Sequence, residues 1–474
     1  VLPGVHERFR TMRSSTPRDR TAARAVGAVA PPEARPARRH ASLGLVPDGQ
    51  AAWTRSPWNP LVTPASPRLF EAVLAIGLVM DAFTAPGLPI PFAEFSAILL
   101  LLLASFRQPR RDLSHYGVLA LVALALVAYL VAVTVHNDLD PTRRATRITL
   151  LILLIYAIAS ERIDIKGVLY GMTAGALINV PLFYAGLAPD TYGGYLTGFL
   201  GDKNVSGLFY ALLPVLLVAT MQRMGPKLLV LGAGSALTFL TGSRTSMAGL
   251  LCAVVWILVS PYLGRVLRIA LVVVMGWFVS WAEENLADLG IFGDRTGTDW
   301  FRAQIQAASV EKVAETSFFG QGLSTAFVDL DHVSMFFHNS YLGLLVEGGW
   351  PFLIVVVGAY LWLCLRPFAR THRSPSRVAV EAAAVIILVT SLQPFARTHR
   401  SPSRVAVEAA ALIILVASLQ LGEVFITIFG AIVLGCGLLL SAQEDEEDHG
   451  APAKDRAHRR KLDRIIERSR RAGR

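Results

Sequence analysis

The feature that most constrains this chain is a ladder of apolar runs, poor in charge and separated by short basic turns. The runs fall at roughly 69–83, 92–106, 117–135, 147–159, 167–186, 203–221, 227–240, 246–263, 266–282 and 350–365, and an apolar region continues to Leu440. An upright helix needs about 20 residues to cross a hydrocarbon core, and the ladder predicts an all-α polytopic membrane protein with about 12 transmembrane helices. Several runs are too short for an upright crossing, so their ends extend into the loops or pack against neighbours. A hydrophobic fraction of 53% and a mean hydropathy of +0.49 average these runs with polar tails.

Charge orients the ladder. Residues 1–68 are rich in Arg, Ala, Pro and Ser, have no sustained apolar period, and read as a disordered basic arm without a visible cleavable signal peptide. The positive-inside rule puts this arm in the cytoplasm. Counting from there, the turns at 107–111, 162–166, 223–227, Arg265 and 366–377 all fall inside, and all are basic. The long connection 283–349 falls outside. A transmembrane domain over 69–442 is then followed by a charged cytoplasmic tail, 443–474. The tail has an acidic block at its start, then a basic segment with Leu462, Ile465 and Ile466 on one face. That segment reads either as a helix on anionic lipid or as a solvated tail. The net charge of +10 flanks apolar spans, so lipid headgroups rather than nucleic acid are the expected partner. Cys252, Cys364 and Cys436 lie inside apolar runs and read as core residues, with no disulfide or metal framework.

In that orientation several arginines stand on the translocated side, against the usual bias. They are Arg143, Arg144 and Arg147 after the third run, Arg244 in TGSRTS, and Arg295 and Arg302 in GDRTGTDWFRA. Snorkelling to lipid phosphate is one reading of them. Contact with a substrate phosphate is the other, and it stands open for Arg143 and Arg144. Arg244 sits in a tight turn near membrane depth, where an unpaired Arg costs roughly 2.5–3.5 kcal/mol and a bound anion would offset that. In YGGYLTGFLGDKNVSG, Lys203 and Asn204 open a helix whose N-terminal N–H groups can hold an anion; a plain glycine turn with a helix cap is the alternative. His338 and Asn339 head a run with Leu342, Leu345 and Val346 at helical spacing, which Gly348 and Gly349 stop before a span begins at Trp350. A histidine there meets a polar substrate at the membrane surface, or else caps or packs the helix. Glu347 reads as the structural partner of an outside arginine. FFGQGL, Phe318 to Leu323, reads as a turn that returns the chain to the membrane. Asp81, Glu94, Glu381 and Glu408 lie in or beside apolar runs, mostly near their ends, where snorkelling accounts for them.

Taken in order, GFLGDKN, TGSRTS, the Arg295–Trp300–Arg302 segment, FFGQGL and HNSYLGLLVEGGWPF resemble the O-antigen ligase/polymerase family of bacterial envelope glycosyltransferases, over roughly residues 69–440. The resemblance implies transfer of a glycan from a polyprenyl diphosphate to a lipid or glycan acceptor on the outer face of the plasma membrane. It also implies functional roles for Arg244, for Arg295 or Arg302, and for His338, and it leaves ligase and polymerase undivided. The chemistry of the residues agrees. A glycosyl diphosphate carries its own leaving group, so the protein must stabilise departing charge and remove the acceptor's proton. Fixed arginines do the first without a metal. A neutral histidine does the second, typically for about 10²–10⁴-fold. No cofactor and no metal are expected, since Asp329 and Asp331 are isolated. A transporter or lipid-linked sugar flippase is the alternative class; it predicts matching halves or broken helices with paired charges at mid-bilayer. A pure scaffold leaves the outside arginines and His338 without a role.

Residues 367–393 are repeated almost unchanged as 394–420, with differences only at Val385/Leu412 and Thr390/Ala417. Two spanning copies would make 13 helices and export either Arg397, Arg400 and Arg404 or the basic tail, against the orientation rule. The expectation is that the second copy spans, pairing with Phe425 to Leu440 through an outer turn at Gly422 and Glu423, and that the first is displaced.

Overall fold

A computed structural model describes residues 61, 68–286, 296–330, 333–365 and 401–450. The apolar runs form helices: α1 (Leu69–Gly77), α2 (Phe92–Ser105), α3 (Gly117–His136), α4 (Thr142–Ala159), α5 (Ile165–Tyr184), α6 (Lys203–Thr220), α7 (Met224–Leu240), α8 (Arg244–Val259) and α9 (Arg265–Leu286). After α10 (Thr296–Glu315) come strands β1 (Phe327–Leu330) and β2 (Val333–Phe336), α11 (Ser340–Ala359) with a π-helical turn over Tyr360–Leu365, α12 (Pro402–Ala417) and α13 (Ile428–Gly450). Among the described residues six helices are long and apolar enough to cross a membrane, and three more are apolar but shorter.

Small residues set how closely these helices approach, as they do where apolar burial alone cannot drive association. Gly167, Gly171 and Gly175 recur every four residues along one stripe of α5, and α1 lies directly on it. A Cβ on Gly171 would fall 2.0 Å from the Ala72 carbonyl oxygen. α6 is buried from Ser206 to Ala219, and α12 from Ser403 to Ala417. α12 fills a slot between α6 and α8, while α13 packs along α4. Glu408, in the middle of α12, is fully buried and accepts a hydrogen bond from Trp256 Nε1 at 3.0 Å. Snorkelling therefore does not describe Glu408; a helix-to-helix hydrogen bond does.

Successive helices run in alternate directions between two ends. At one end Glu71 pairs with Arg68 and Arg107, and both arginines donate to the Arg162 carbonyl at 3.0 and 3.2 Å. Arg111 pairs with Glu161 at 3.0 Å. Arg404, buried, donates to Glu444 at 2.9 and 3.0 Å and to the Leu363 carbonyl at 2.8 Å. Two of the turns expected in the cytoplasm, 107–111 and 162–166, thus share an end. The second copy of the duplication supplies α12; the first copy, residues 367–393, lies outside the described residues, as do most of the basic arm and the basic tail.

Two parts of the opposite end depart from a purely helical expectation. The connection expected as one long loop contains α10 and an antiparallel hairpin, with Phe327 opposite Phe336 and Leu330 opposite Val333. These enclose a small core of Ile305, Ala326, Val328, Phe337 and Val346. And α4 begins at Thr142, so Arg143, Arg144 and Arg147 sit in its first two turns instead of in a loop. Acidic partners allow that: Arg144 meets Glu347 and Glu423 at 3.1 and 2.7 Å, and Arg147 meets Glu94 and Glu423 at 3.2 and 3.5 Å.

Candidate active site

His338 leaves β2 on a backbone fixed at both sides. Before it, Phe337 fills the small core and donates its N–H to the Ala326 carbonyl at 3.1 Å. After it, the Asn339 side-chain oxygen accepts from the N–H groups of Tyr341 and Leu342 at 2.9 and 3.2 Å, capping α11. Ser340 donates its N–H to the Ser418 carbonyl at 2.9 Å and its hydroxyl to Leu421 at 2.5 Å, and it accepts from Val424 N–H at 3.0 Å. The cap is therefore Asn339, not His338, whose ring is left for other work. Asn339, expected to touch substrate, spends its side-chain oxygen on the helix.

The GFLGDKN loop is hung on a buried amide. Asn179 Nδ2 donates to the Thr197 carbonyl at 3.2 Å and to the Tyr210 hydroxyl at 3.0 Å, while its Oδ1 accepts from Phe199 N–H at 2.7 Å. Asp202 then caps α6, its Oδ1 accepting from Asn204 and Val205 N–H at 2.7 and 3.0 Å. Of the two readings of this turn, the helix cap is the one seen: the Asn204 and Val205 N–H groups are taken by a carboxylate, and the anion cradle expected at Lys203 and Asn204 is not open there. The Lys203 ammonium lies over the rings of Tyr192 and Tyr195, 5.4 and 6.0 Å from their centroids. Tyr192 donates its hydroxyl to Asp202 Oδ2 at 2.5 Å.

Phe301 packs against the same small core as Phe337, so α10 lies beside the His338 segment. Burial lowers the His338 pKa below the ordinary histidine value; the Arg302 charge on α10 lowers it further, and Asp202 pulls it back up. Arg302 also acts on Tyr192, whose hydroxyl is pushed up to about 12 by burial and by Asp202. Asp202, Tyr192 and Lys203 are joined by the contacts above, and the charges of Asp202 and Arg302 both act on His338. The turn carrying Arg244 adjoins the Tyr192 loop. Leu196 N–H bonds the Leu240 carbonyl at 3.0 Å, and Gly242, at φ +63°, lies so close to Tyr195 that a Cβ there would fall 2.3 Å from its ring. Arg244 is half-buried at the first position of α8. Arg295 lies outside the described residues. Arg143 is exposed on α4, and Arg144 is buried between its two carboxylates.

Below His338, α11 is broken. Gly348 and Gly349 leave helical geometry, Gly349 with φ +65° and ψ −162°. The sequence has one run stop at Gly348 and Gly349 and a span begin at Trp350, and the helix does break and resume there; the FFGQGL loop satisfies the groups the break frees. Gln321 N–H donates to Val346 at 2.7 Å, Gly322 N–H to Glu347 at 3.0 Å, and Trp350 N–H to Phe318 at 3.0 Å. The Tyr129 hydroxyl reaches the Gly348 carbonyl at 3.0 Å and that of Phe319 at 2.7 Å. Asp202, Tyr192 and Asn179 were not singled out from sequence, and Glu423 only as part of an outer turn. Only Asp202, directly before an apolar-periodic run, carried a local signal, that of a helix cap.

Residues 228–357 match the O-antigen ligase family. This segment is similar to O-antigen ligase domains. It runs from α7 into α11 and contains Arg244, Arg302, His338, the FFGQGL loop and the broken helix. The O-antigen ligase match does not extend to Asp202, Lys203, Arg144 or Glu423, which the fold brings to the same end of the bundle. No curated protein matches the chain. The match points to a glycosyl-transferring enzyme, and the apolar helices to a multi-pass membrane protein.

Proposed function

We propose that the chain moves a glycan from a polyprenyl diphosphate to a lipid or glycan acceptor at the outer face of a bacterial plasma membrane, as a polysaccharide ligase or polymerase. The observation that carries this reading is that Phe301 and Phe337 share one small core, which sets Arg302 and His338 on neighbouring segments, within the stretch that matches the O-antigen ligase family and also holds Arg244. In the proposed reaction the acceptor hydroxyl oxygen attacks the anomeric carbon. The bond from that carbon to the diphosphate breaks, and the diphosphate leaves with the electron pair, neutralised by Arg302, Arg244 and Lys203. The acceptor proton passes to the His338 ring, which its surroundings keep neutral and able to receive it. Arg295 stays with this proposal as a second outer-loop arginine. The basic end of the bundle faces the cytoplasm on this reading, which puts the His338 end outside, with about 12 crossings in all.

A transporter uses the carbonyls freed at a helix break to hold its ion. Here the carbonyls of Val346, Glu347 and Gly348 are all taken by protein donors, which favours the transferase. Two measurements on purified protein test the proposal. His338→Ala should insert normally and lose transfer from a polyprenyl-diphosphate glycan; activity within about threefold of wild type removes the base role, given the factor such a base supplies. Transfer should also persist in EDTA. A chelator-sensitive rate restored by Mg²⁺ would give the diphosphate to a cation rather than to the arginines.

A further inference from the structure

A charge clamp lies beneath His338. Arg144, buried in α4, donates to Glu347 Oε2 on α11 at 3.1 Å and to Glu423 Oε1 at 2.7 Å, and Arg147 approaches Glu423 at 3.5 Å. The other oxygen of Glu347 accepts Ser324 N–H at 3.0 Å, which ties in the chain just after FFGQGL. Glu423 stands in the turn between α12 and α13, and that turn grips the His338 segment on both sides. Gly422 lies against the Phe337 carbonyl, and Leu421 and Val424 bond the Ser340 hydroxyl. One guanidinium thus joins α4, α11 and the turn that brackets His338.

Backbone conformation adds an independent sign. Four non-glycine residues have positive φ among the described residues, and two of them, Ser324 at 65° and Glu423 at 59°, are on this clamp. Glycine would occupy Glu423's left-handed position with less strain. A turn needing only closure has no use for a glutamate there; a turn that must be anchored to Arg144 does.

We infer that Glu423, held by Arg144, is a positioning residue for His338, and that the Arg144–Glu347–Glu423 clamp sets where the histidine ring stands. This assigns Arg144 to support of the site instead of to substrate, and it rests on His338 being the base. The test uses the full chain in detergent and the lipid-linked glycan pool extracted from cells lacking this chain, read as polyprenyl diphosphate released. Glu423→Gly removes the anchor and relieves the backbone. It should keep the wild-type melting temperature and the donor KM while kcat falls about tenfold to a hundredfold, the scale expected of a displaced catalytic group. Arg144→Lys keeps the buried charge but cannot fork to both carboxylates, and should behave the same way. In a His338→Ala background neither change should lower the residual rate further, because the group they position is gone. A wild-type kcat for Glu423→Gly beside an inactive His338→Ala overturns the positioning role alone. A further multiplicative loss in the His338→Ala background also overturns it. An active His338→Ala overturns the base reading first, and this inference with it.

Discussion

His338 is governed by two opposite charges, and they can be separated. Arg302 disfavours the imidazolium and Asp202 favours it, while burial sets a pKa already below the ordinary value. Arg302→Gln removes a lowering charge, so the acid limb of the rate profile should move to higher pH. Asp202→Asn removes a raising charge, so the limb should move to lower pH. A pH–kcat/KM profile of each variant, at whatever absolute rate survives, checks the signs; shifts in the same direction would separate His338 from the limb. Arg302 was legible, together with Arg295, as an arginine of the outer connection, and His338 through the family resemblance, since its position alone also fitted a capping or packing histidine. Tyr192 and Asp202 were not legible as a pair. Their contact spans a glycine-rich loop whose shape is set by Asn179, a buried residue inside α5 with no local mark of its role. Arg144 and Glu347 were visible singly, and Glu347 was read as the partner of an arginine. Which arginine it meets depends on how α4 lies against α11.

At the scale of an element, the break in α11 shows what local sequence can and cannot carry. Two glycines mark an interruption, but its repair comes from Phe318 to Gly322, some 26 or more residues earlier in the chain. Gly349 occupies a region of φ and ψ that is nearly closed to other residues, and a Cβ there would fall 2.0 Å from the Phe318 carbonyl oxygen. Gly349→Ala should therefore cost at least about 1–3 kcal/mol from the backbone alone, before any clash. Tyr129→Phe removes one donor shared by the Phe319 and Gly348 carbonyls and should cost about 1–3 kcal/mol. Denaturant unfolding in mixed micelles ranks the two, with Gly349→Ala the weaker protein. Equal stability to wild type for Gly349→Ala would mean that the break is not held by the loop. The helix caps, by contrast, are short-range and were half legible: an Asp before α6 and an Asn before α11 each sit where a cap is expected.

At the scale of the whole molecule, the apolar helices and the basic character of the turns at 107–111 and 162–166 that share an end were legible, because charge and apolar length are local properties of the chain. The order of helix packing was not, since it depends on stripes of small residues such as Gly167, Gly171 and Gly175. The duplication gives this scale its sharpest test. The second copy supplies α12, filled in on all sides and pinned by Arg404 to Glu444 and to the Leu363 carbonyl. That last bond also means that the chain leaves α11 and re-enters at α12 on the same end of the bundle. Both copies begin PFARTHR, so removing 367–393 joins Arg366 to Pro394 and preserves the natural Arg–Pro junction. The connection from 366 to 400 falls from 35 residues to 35 − 27 = 8. Eight residues still reach about 26–29 Å when extended, ample for ends that Arg404 and Leu363 already bring together. The shortened chain should insert, melt and transfer glycan like the full one, and a cysteine at Ser401 should stay shielded from an impermeant reagent in intact cells. Loss of folding on deletion, or labelling at Ser401, would show that the first copy contributes to the bundle and that the α12 slot is not filled by the second copy alone.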